Sequence, residues 1–294
     1  MEAEAEPKAP QSLQEKVKRW RELWDEVPTA QVEPYGRVLA PESLHQLMLL
    51  LGQLAMLDIG AWRGQADCKW KLDSSLVRRW KEHREFMGPA YPLDEARLRR
   101  HEKAVIERCR EAGFLEPNAE LELLAKLQHH GGATRLLDCT RNAFVALWFA
   151  SQGPLDSDGI LVGFRLSSDR ALKLDTKMLE CTVDELLQEA EGRLLWWQPR
   201  QSHPRIAAQQ ALFVFSEHVD RPWGSVNLTG ERDMTGIGDV PGIVSMLVSS
   251  DLKQSLEPCW EPVFGFAEET LFPDFDGFAS SQGISKSFPH GFPI

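Results

Sequence analysis

The spacing of apolar residues changes at a cluster of turn-forming residues, 153–159. Before the cluster, apolar residues recur at helical spacing, most clearly over residues 43–57. After it, the apolar run at 160–166 and the alternating run at 211–215 are typical of strands. We therefore predict an α+β fold, in which a helical first half packs on a mainly antiparallel sheet contributed largely by the second half.

The patterns also predict how the chain is organised. Residues 1–10 are acidic and of low complexity, and we expect them to form a disordered tail. Residues 11–34 are predicted to be an N-terminal helix and a linker, and residues 35–294 a single main domain. The spacing of Trp20 and Trp24 favours docking of this helix on the main domain, and a contact surface for a protein partner is the alternative.

Apolar spacing and capping residues predict the individual elements. Helices are expected at residues 12–27, 43–57, 74–86, 94–112, 118–128, 142–152, 184–191 and 250–256. Strands are expected at residues 59–64, 160–166, 211–215 and 242–248. The residues between the helices at 118–128 and 142–152 are expected to form a loop.

Composition limits the classes of partner. The formal charge of −11 argues against general nucleic-acid binding. No apolar run approaches the ~18 residues that a membrane helix needs, so no membrane partner is expected. The five cysteines are scattered, and none forms a Cys-x-x-Cys pair. Their odd number, and an acidic N-terminus unlike a secretory signal, predict reduced thiols and a cytoplasmic location.

Residues 69–110 are basic against this acidic background. They contain 12 Lys and Arg residues against 7 Asp and Glu residues. Such a stretch is typical of a solvated helical face with alternating charges. A basic rim that steers an anionic ligand is the alternative.

The densest group of polar residues lies at 127–142, directly before the apolar segment 143–150. It contains two adjacent histidines, two glycines, two threonines, two arginines and an aspartate. A structural loop rarely needs so many different donors, acceptors and charges, whereas a pocket for a polar ligand does. The glycines would let the backbone approach a ligand closely. The predicted ligand contacts in this polar string are His129, His130, Thr134, Arg135, Asp138 and Thr140.

The polar string resembles the signature of the FRG domain family, which is named for a Phe-Arg-Gly motif near its start. Other blocks resemble the family in the same order, and Trp62 stands where the naming motif has Phe. The blocks are residues 62–65 with 70–76 and Arg78, residues 127–142, residues 197–199 with 205–213, and residues 271–277. The resemblance covers roughly residues 31–280 and adds Gln65 and Arg205 to the predicted ligand contacts.

The resemblance further implies a distant relation to ADP-ribosyltransferases. In those enzymes a first-strand arginine binds the phosphates of NAD, a polar motif shapes the nicotinamide pocket, and an acidic residue before a later strand supports glycosidic cleavage. Arg63 looks like the first element, and Thr134 or Thr140 like the second. The chain departs at the third element, because Gln209 and Gln210 precede the strand where Glu is expected.

A carboxylate from elsewhere is therefore needed for catalysis. Glu217, Glu268 and Glu269 are the candidates, with a solvated acidic residue as the alternative for each, and Glu269 fits the family pattern best. The residues predicted to be catalytic are Arg63, His129, Gln209, Gln210 and Glu269.

Two of the candidate residues also have structural interpretations. Arg63 suits a phosphate because its planar fork binds two oxygens at once, and the alternative is a buried ion pair with Asp138 or Asp67. Asp138 is interpreted either as a lock that pairs with loop amides, Arg135 or Arg141, or as a direct ligand contact.

The two histidines face opposite sides if their backbone is extended, so that at most one enters a pocket. We expect a hydrogen-bonding or stacking role against a ligand ring, or a cap on the loop. A metal site would require Asp138 or His101 as a third ligand, and none is predicted. Asp274 and Asp276 are expected to form a tight turn, with a divalent cation as the alternative.

Two classes of function follow. The first is an ADP-ribosyltransferase-like or NAD-cleaving enzyme, in which NAD is a substrate and which would fit a toxin or phage-defence effector. The second is a non-catalytic module that senses a nucleotide with the same pocket. The missing Glu favours the second class.

Overall fold

The computed structural model describes residues 13–87, 92–114, 120–166, 171–199, 204–227, 242–275 and 277–278. These ranges contain ten α-helices: α1 Leu13–Glu26, α2 Leu44–Ala55, α3 Ser75–Met87, α4 Glu95–Glu111, α5 Glu120–His129, α6 Ala143–Ser151, α7 Val183–Ala190, α8 Pro204–Ala208, α9 Ser250–Leu256 and α10 Glu268–Leu271. No helix in these ranges combines the length and the apolar character needed to cross a bilayer.

The same ranges contain eleven strands: β1 Thr29–Val32, β2 Gly36–Leu39, β3 Ile59–Gln65, β4 Leu137–Thr140, β5 Gly159–Arg165, β6 Ala171–Lys173, β7 Leu194–Trp197, β8 Ala211–Phe215, β9 His218–Arg221, β10 Gly224–Val226 and β11 Ile243–Val248. Nine of them form one sheet in the order β1-β2-β11-β5-β3-β4-β8-β7-β6, and β9 pairs with β10. Six of the eight pairings in the large sheet are antiparallel, while β2–β11 and β6–β7 are parallel.

This architecture confirms the predicted α+β class and the mainly antiparallel sheet. The first half of the chain supplies four of the nine strands, which is more than the sequence indicated. One of them, β4, lies inside the polar string that we expected to be a loop. Another, β1, lies in the predicted linker.

The N-terminal helix packs on the main domain, as predicted. Trp20, Leu23 and Trp24 are buried in one core cluster with residues of α2, α6 and α9. Trp20 is only 1% exposed. The predicted disordered tail, residues 1–10, lies outside the described residues.

The large sheet separates apolar clusters on its two faces. Along β5, Leu161 belongs to the cluster with α1, α2, α6 and α9, whereas Ile160 and Val162 belong to the cluster on the opposite face. Such alternation is expected for successive residues of a strand. A third cluster joins α4, α5 and α7 to β7 and β8. The candidate site lies between the first and third clusters.

Helix α6 lies directly on β3 and β5, with no layer of side chains between them. A Cβ atom added at Gly64 would lie 1.7 Å from the carbonyl oxygen of Ala146 in α6. A Cβ atom added at Gly159 would lie 2.1 Å from the carbonyl oxygen of Ala150. Both strand positions therefore require glycine, because any side chain would collide with the helix backbone.

Candidate functional site

A cavity of about 870 Å³ lies where α5, α6, β3, β4 and β8 meet. Its volume falls in the range of roughly 300–1,000 Å³ typical of small-molecule sites. The apolar residues on its wall are Trp62, Ala125, Cys139, Val145, Ala146, Phe149, Trp197, Pro199, Ile206, Ala211, Phe213 and Phe272. The polar side chains on the wall are Arg63, Glu122, Lys126, Gln128, His129, His130, Asp138, Thr140, Arg205 and Gln209. We call this space the main cavity.

Arg63 reaches the cavity wall where two strands stop pairing. Strands β3 and β4 are in register only at Trp62 and Thr140, and continued pairing would place Gly64 opposite Asp138. Instead, Nη1 of Arg63 donates a 2.7 Å hydrogen bond to the main-chain carbonyl of Asp138. The buried Nε of Arg63 has no partner in the described structure. The predicted ion pairs of Arg63 with Asp138 or Asp67 are absent from the described residues, so this alternative is wrong.

The Asp138 side chain is exposed on β4 and lines the main cavity. Within the described ranges, no hydrogen bond or ion pair holds its carboxylate. The predicted lock with Arg135 is wrong, because Arg135 pairs with Glu95 and Glu102 instead. The Asp138 carboxylate is therefore available to a ligand.

His129 and His130 both line the main cavity. His129 is the last residue of α5, and His130 lies in the following turn, so the backbone is not extended here. Their rings meet edge to face, with centroids 5.1 Å apart. The expectation that at most one of them enters a pocket is wrong.

Thr140, Gln209 and Leu271 are linked by consecutive hydrogen bonds at the main cavity. The Thr140 hydroxyl donates a 2.6 Å hydrogen bond to the main-chain carbonyl of Gln209. In turn, the Gln209 amide donates to the carbonyl of Leu271 at 3.0 Å. Gln209 lines the cavity, whereas Gln210 is exposed, adopts a φ of +46° and does not line it.

Arg205 holds the closing segment, which we define as residues 268–275. It forms two hydrogen bonds with the Asp274 carboxylate, at 2.7 and 2.6 Å. Its guanidinium lies 5.0 Å from the ring centroid of Phe272, which lines the cavity. Asp274 also accepts a bond from the amide of Gly277, as the predicted tight turn requires. The Asp274 carboxylate is engaged by Arg205 rather than placed for a cation, and Asp276 lies outside the described residues.

Two residues of the polar string point into the core and do not line the main cavity. Thr134 is fully buried, and its hydroxyl contacts the side-chain oxygen of Gln128. Arg135 is buried between the carboxylates of Glu95 and Glu102. Burial lowers the pKa of Arg135, but these two carboxylates raise it above its ordinary value, so the side chain stays charged.

Gln65 and Glu269 also lie away from the main cavity. Gln65 is buried, donates to the carbonyl of Trp70 and accepts a bond from the Tyr35 hydroxyl. Glu269 is exposed on α10 and does not line the cavity. Glu217 is exposed as well and does not contribute to the wall.

Residues that we did not predict complete the wall. Glu122, Ala125 and Lys126 of α5 lie three or four residues before another lining residue of the helix, the predicted His129 included, and therefore share one side of it. This spacing is visible in the sequence but resembles an ordinary solvated face. The Trp and Phe side chains of the wall come from five separate segments and have no local sequence signal.

The site has no thiolate nucleophile and no evident metal cluster. Burial raises the pKa of the Cys139 thiol, so it is protonated at neutral pH. All five cysteines are free. Among the residues that the structure describes, no three His, Cys, Asp or Glu side chains are grouped so that they could hold a metal ion.

The FRG domain family model matches residues 59–159. The matched span runs from the first residue of β3 to the first residue of β5, and it contains Arg63, both cavity histidines, Asp138 and α6. Comparison with curated proteins and with solved structures gives no match. The resemblance predicted from the sequence is thus confirmed for this span: the chain contains an FRG domain at residues 59–159.

Proposed function

We propose that the main cavity binds NAD and that the protein breaks the bond between its nicotinamide and ribose, as an ADP-ribosyltransferase-like or NAD-cleaving enzyme. The observation that carries this proposal is the Asp138 carboxylate, which faces the same cavity as Arg63 and has no partner in the described structure. An unpaired carboxylate and an arginine on one wall suit a ligand that has both an anionic part and a developing positive charge.

The shape and polarity of the cavity support a dinucleotide. A guanidinium such as that of Arg63 can bind two phosphate oxygens at once. The aromatic wall, which includes Trp62, Phe149 and Trp197, offers ring faces and edges against which a base or nicotinamide can pack. His129 and His130 add hydrogen-bonding groups at the same wall.

The proposed reaction uses the Asp138 carboxylate to stabilise charge. When the glycosidic bond breaks, its electron pair leaves with the nicotinamide nitrogen, and positive charge develops on the ribose ring. A nearby carboxylate stabilises that charge electrostatically. Water then forms the new bond at the ribose carbon and loses a proton, for which His129 is the proposed acceptor. If another nucleophile replaces water, the result is transfer of ADP-ribose.

A second candidate function is a nucleotide-binding module without turnover. Gln209 and Gln210 stand where the family resemblance implies Glu, and neither can ionise. The Gln209 amide is already bonded to Leu271, and Glu269 lies away from the cavity. These observations favour binding without cleavage if Asp138 does not act.

The test is incubation of the purified full chain with NAD, alone and with cell lysate, while nicotinamide release and bound ADP-ribose are followed. We expect Asp138→Asn to reduce release by about 100-fold or more while NAD still binds. Asp156→Asn, at an exposed turn away from the cavity, is the matched control. Binding of NAD without release would favour the module, and absence of NAD binding would overturn the proposal.

A further inference from the structure

A second, smaller pocket of about 200 Å³ adjoins the main cavity. The two spaces share Arg63, Gln128 and Asp138 as lining residues. Arg78 and Arg79 of α3 line only the smaller space. We call it the arginine pocket, because three guanidinium groups surround it.

The three guanidinium groups have no carboxylate partner among the described residues. Each donates to a main-chain carbonyl instead: Arg63 to Asp138 at 2.7 Å, Arg78 to Asp73 at 2.7 Å and Arg79 to Gly131 at 2.8 Å. Asp138 is the one acidic side chain that lines the described pocket. The pocket therefore holds more positive than negative charge.

Five of the twelve basic side chains in the stretch 69–110 are paired among the described residues. Lys81, Arg97, Arg99, Lys103 and Arg110 each form a salt bridge with a carboxylate. Arg78 and Arg79 lack one, and among the basic side chains of the stretch these two line a described pocket together with Arg63. A solvated face with alternating charges does not require arginines from two elements to line one pocket, whereas a site for an anion does.

Like charges lie close together in the arginine pocket. Burial lowers the pKa of Arg78 and the positive charge of Arg63 lowers it further, although the Asp73, Asp138 and Glu82 carboxylates act in the opposite direction. Like charges that face one another raise the free energy of the unliganded protein, and a bound anion removes that cost.

We propose that Arg63, Arg78 and Arg79 bind a terminal phosphate group of the ligand. A phosphate monoester offers three acceptor oxygens and nearly two negative charges, which suits three guanidinium groups better than a singly charged carboxylate does. The preferred ligand of the FRG domain is then a nucleotide with a phosphate monoester and not NAD itself. This inference rests on the proposed function, because the same ligand extends from the main cavity into the arginine pocket.

A phosphate monoester can come from more than one source. It can lie on the ribose of a dinucleotide, as in NADP, or at the end of a phosphate chain, as in ADP. It can also be free inorganic phosphate. We therefore choose NAD, NADP, ADP and inorganic phosphate as probes, because they separate these sources.

The experiment is calorimetric titration of the full chain with each probe. In the unchanged protein we expect NADP or ADP to bind at least about tenfold more tightly than NAD. In the double variant Arg78→Gln/Arg79→Gln we expect this preference to disappear while the affinity for NAD stays within about twofold. Both side chains reach solvent, and the melting curve of the variant checks that it folds.

The control is Arg100→Gln, which removes an exposed arginine whose one bond within the described ranges is to a carbonyl of its own helix. Equal affinities for NAD, NADP and ADP in the unchanged protein would overturn the inference, as would an equal loss for all three in the double variant. Binding of inorganic phosphate but of no nucleotide would overturn it too.

The two proposals can fail separately. Nicotinamide release without any preference for a phosphate monoester would contradict phosphate binding in the arginine pocket and support the proposed NAD cleavage. A phosphate preference that depends on Arg78 and Arg79, without nicotinamide release from NAD or NADP, would support phosphate binding in the arginine pocket and contradict the proposed cleavage.

Discussion

Arg63 and Arg135 are both predicted from the sequence to contact the ligand, but they lie in opposite electrostatic surroundings. The Arg135 side chain is 3% exposed and pairs with two carboxylates. Arg63 lines both spaces of the site, and its one partner among the described residues is a main-chain carbonyl. Sequence alone does not separate them, because the partner Glu102 lies 33 residues from Arg135 on another element.

The ion network around Arg135 gives a prediction about stability. Glu102 is buried and accepts bonds from both Arg99 and Arg135. Glu102→Gln removes the counter-charge of two buried arginines, and we expect the free energy of unfolding to fall by about 3 kcal/mol. Chemical denaturation measures this change.

The matched control lies on the same helix. Glu107→Gln removes an exposed partner of Arg110, and we expect a change of about 0.5 kcal/mol or less. Similar small losses for both variants would contradict the role of Glu102 in stabilising charge inside the core.

The sequence indicates some residues of the site and not others, and the difference depends on whether neighbouring residues in the sequence also line the cavity. Asp138, His129 and Thr140 come from one dense polar string, and the structure places all three at the cavity. Arg79 comes from a charged helix whose pattern resembles a solvated face. Its clustering with Arg63 depends on how α3 packs against distant segments, which no local pattern records.

At the scale of elements, the length of a helix or strand decides whether the sequence predicts it. Helix α4, expected at residues 94–112, spans Glu95–Glu111 and is capped by Asp94. Strands β4 and β7 have only four residues each and were missed. So short a segment shows no clear period, and its strand conformation depends on pairing with β8, which is separated from both strands by at least one helix.

The contact between α6 and the sheet gives a prediction at this scale. Gly64→Ala places a methyl group against the backbone of α6, so the helix must shift. We expect the free energy of unfolding to fall by about 3 kcal/mol, measured by thermal or chemical denaturation.

Gly52→Ala is the comparison. A Cβ atom at this exposed position of α2 meets nothing within 4 Å. Alanine also favours the helix, so we expect the protein to gain about 0.5–1 kcal/mol. A tolerated alanine at Gly64 would show that α6 does not lie as close to β3 as described.

At the scale of the whole molecule, the N-terminal helix is part of the core. Trp20, Leu23 and Trp24 pack with residues from α2, α6 and α9, and β1 extends the large sheet directly after the helix. The spacing of Trp20 and Trp24 predicts this docking. The amphipathic pattern alone does not distinguish a docked helix from a contact surface for a protein partner, because both present an apolar stripe.

Unfolding experiments test whether this helix belongs to one cooperative unit. We expect Trp20→Ala to lower the free energy of unfolding by about 3–5 kcal/mol while a single transition is kept. Arg21→Ala, an exposed change in the same helix, should alter it by less than about 0.5 kcal/mol. An early separate transition in the Trp20 variant would indicate that α1 unfolds independently.

The close contact of α6 with Gly64 and Gly159 also limits how the main cavity can change shape for a ligand. At these two glycines the main chain of the sheet packs against the main chain of α6, so α6 cannot move closer to the sheet. Residues 268–275 are held at the cavity by side-chain contacts, from Arg205 to Asp274, from Gln209 to Leu271 and from Phe272 to the rings of α6. We therefore expect the cavity to widen for a larger ligand by movement of these side chains and not by movement of α6 toward the sheet.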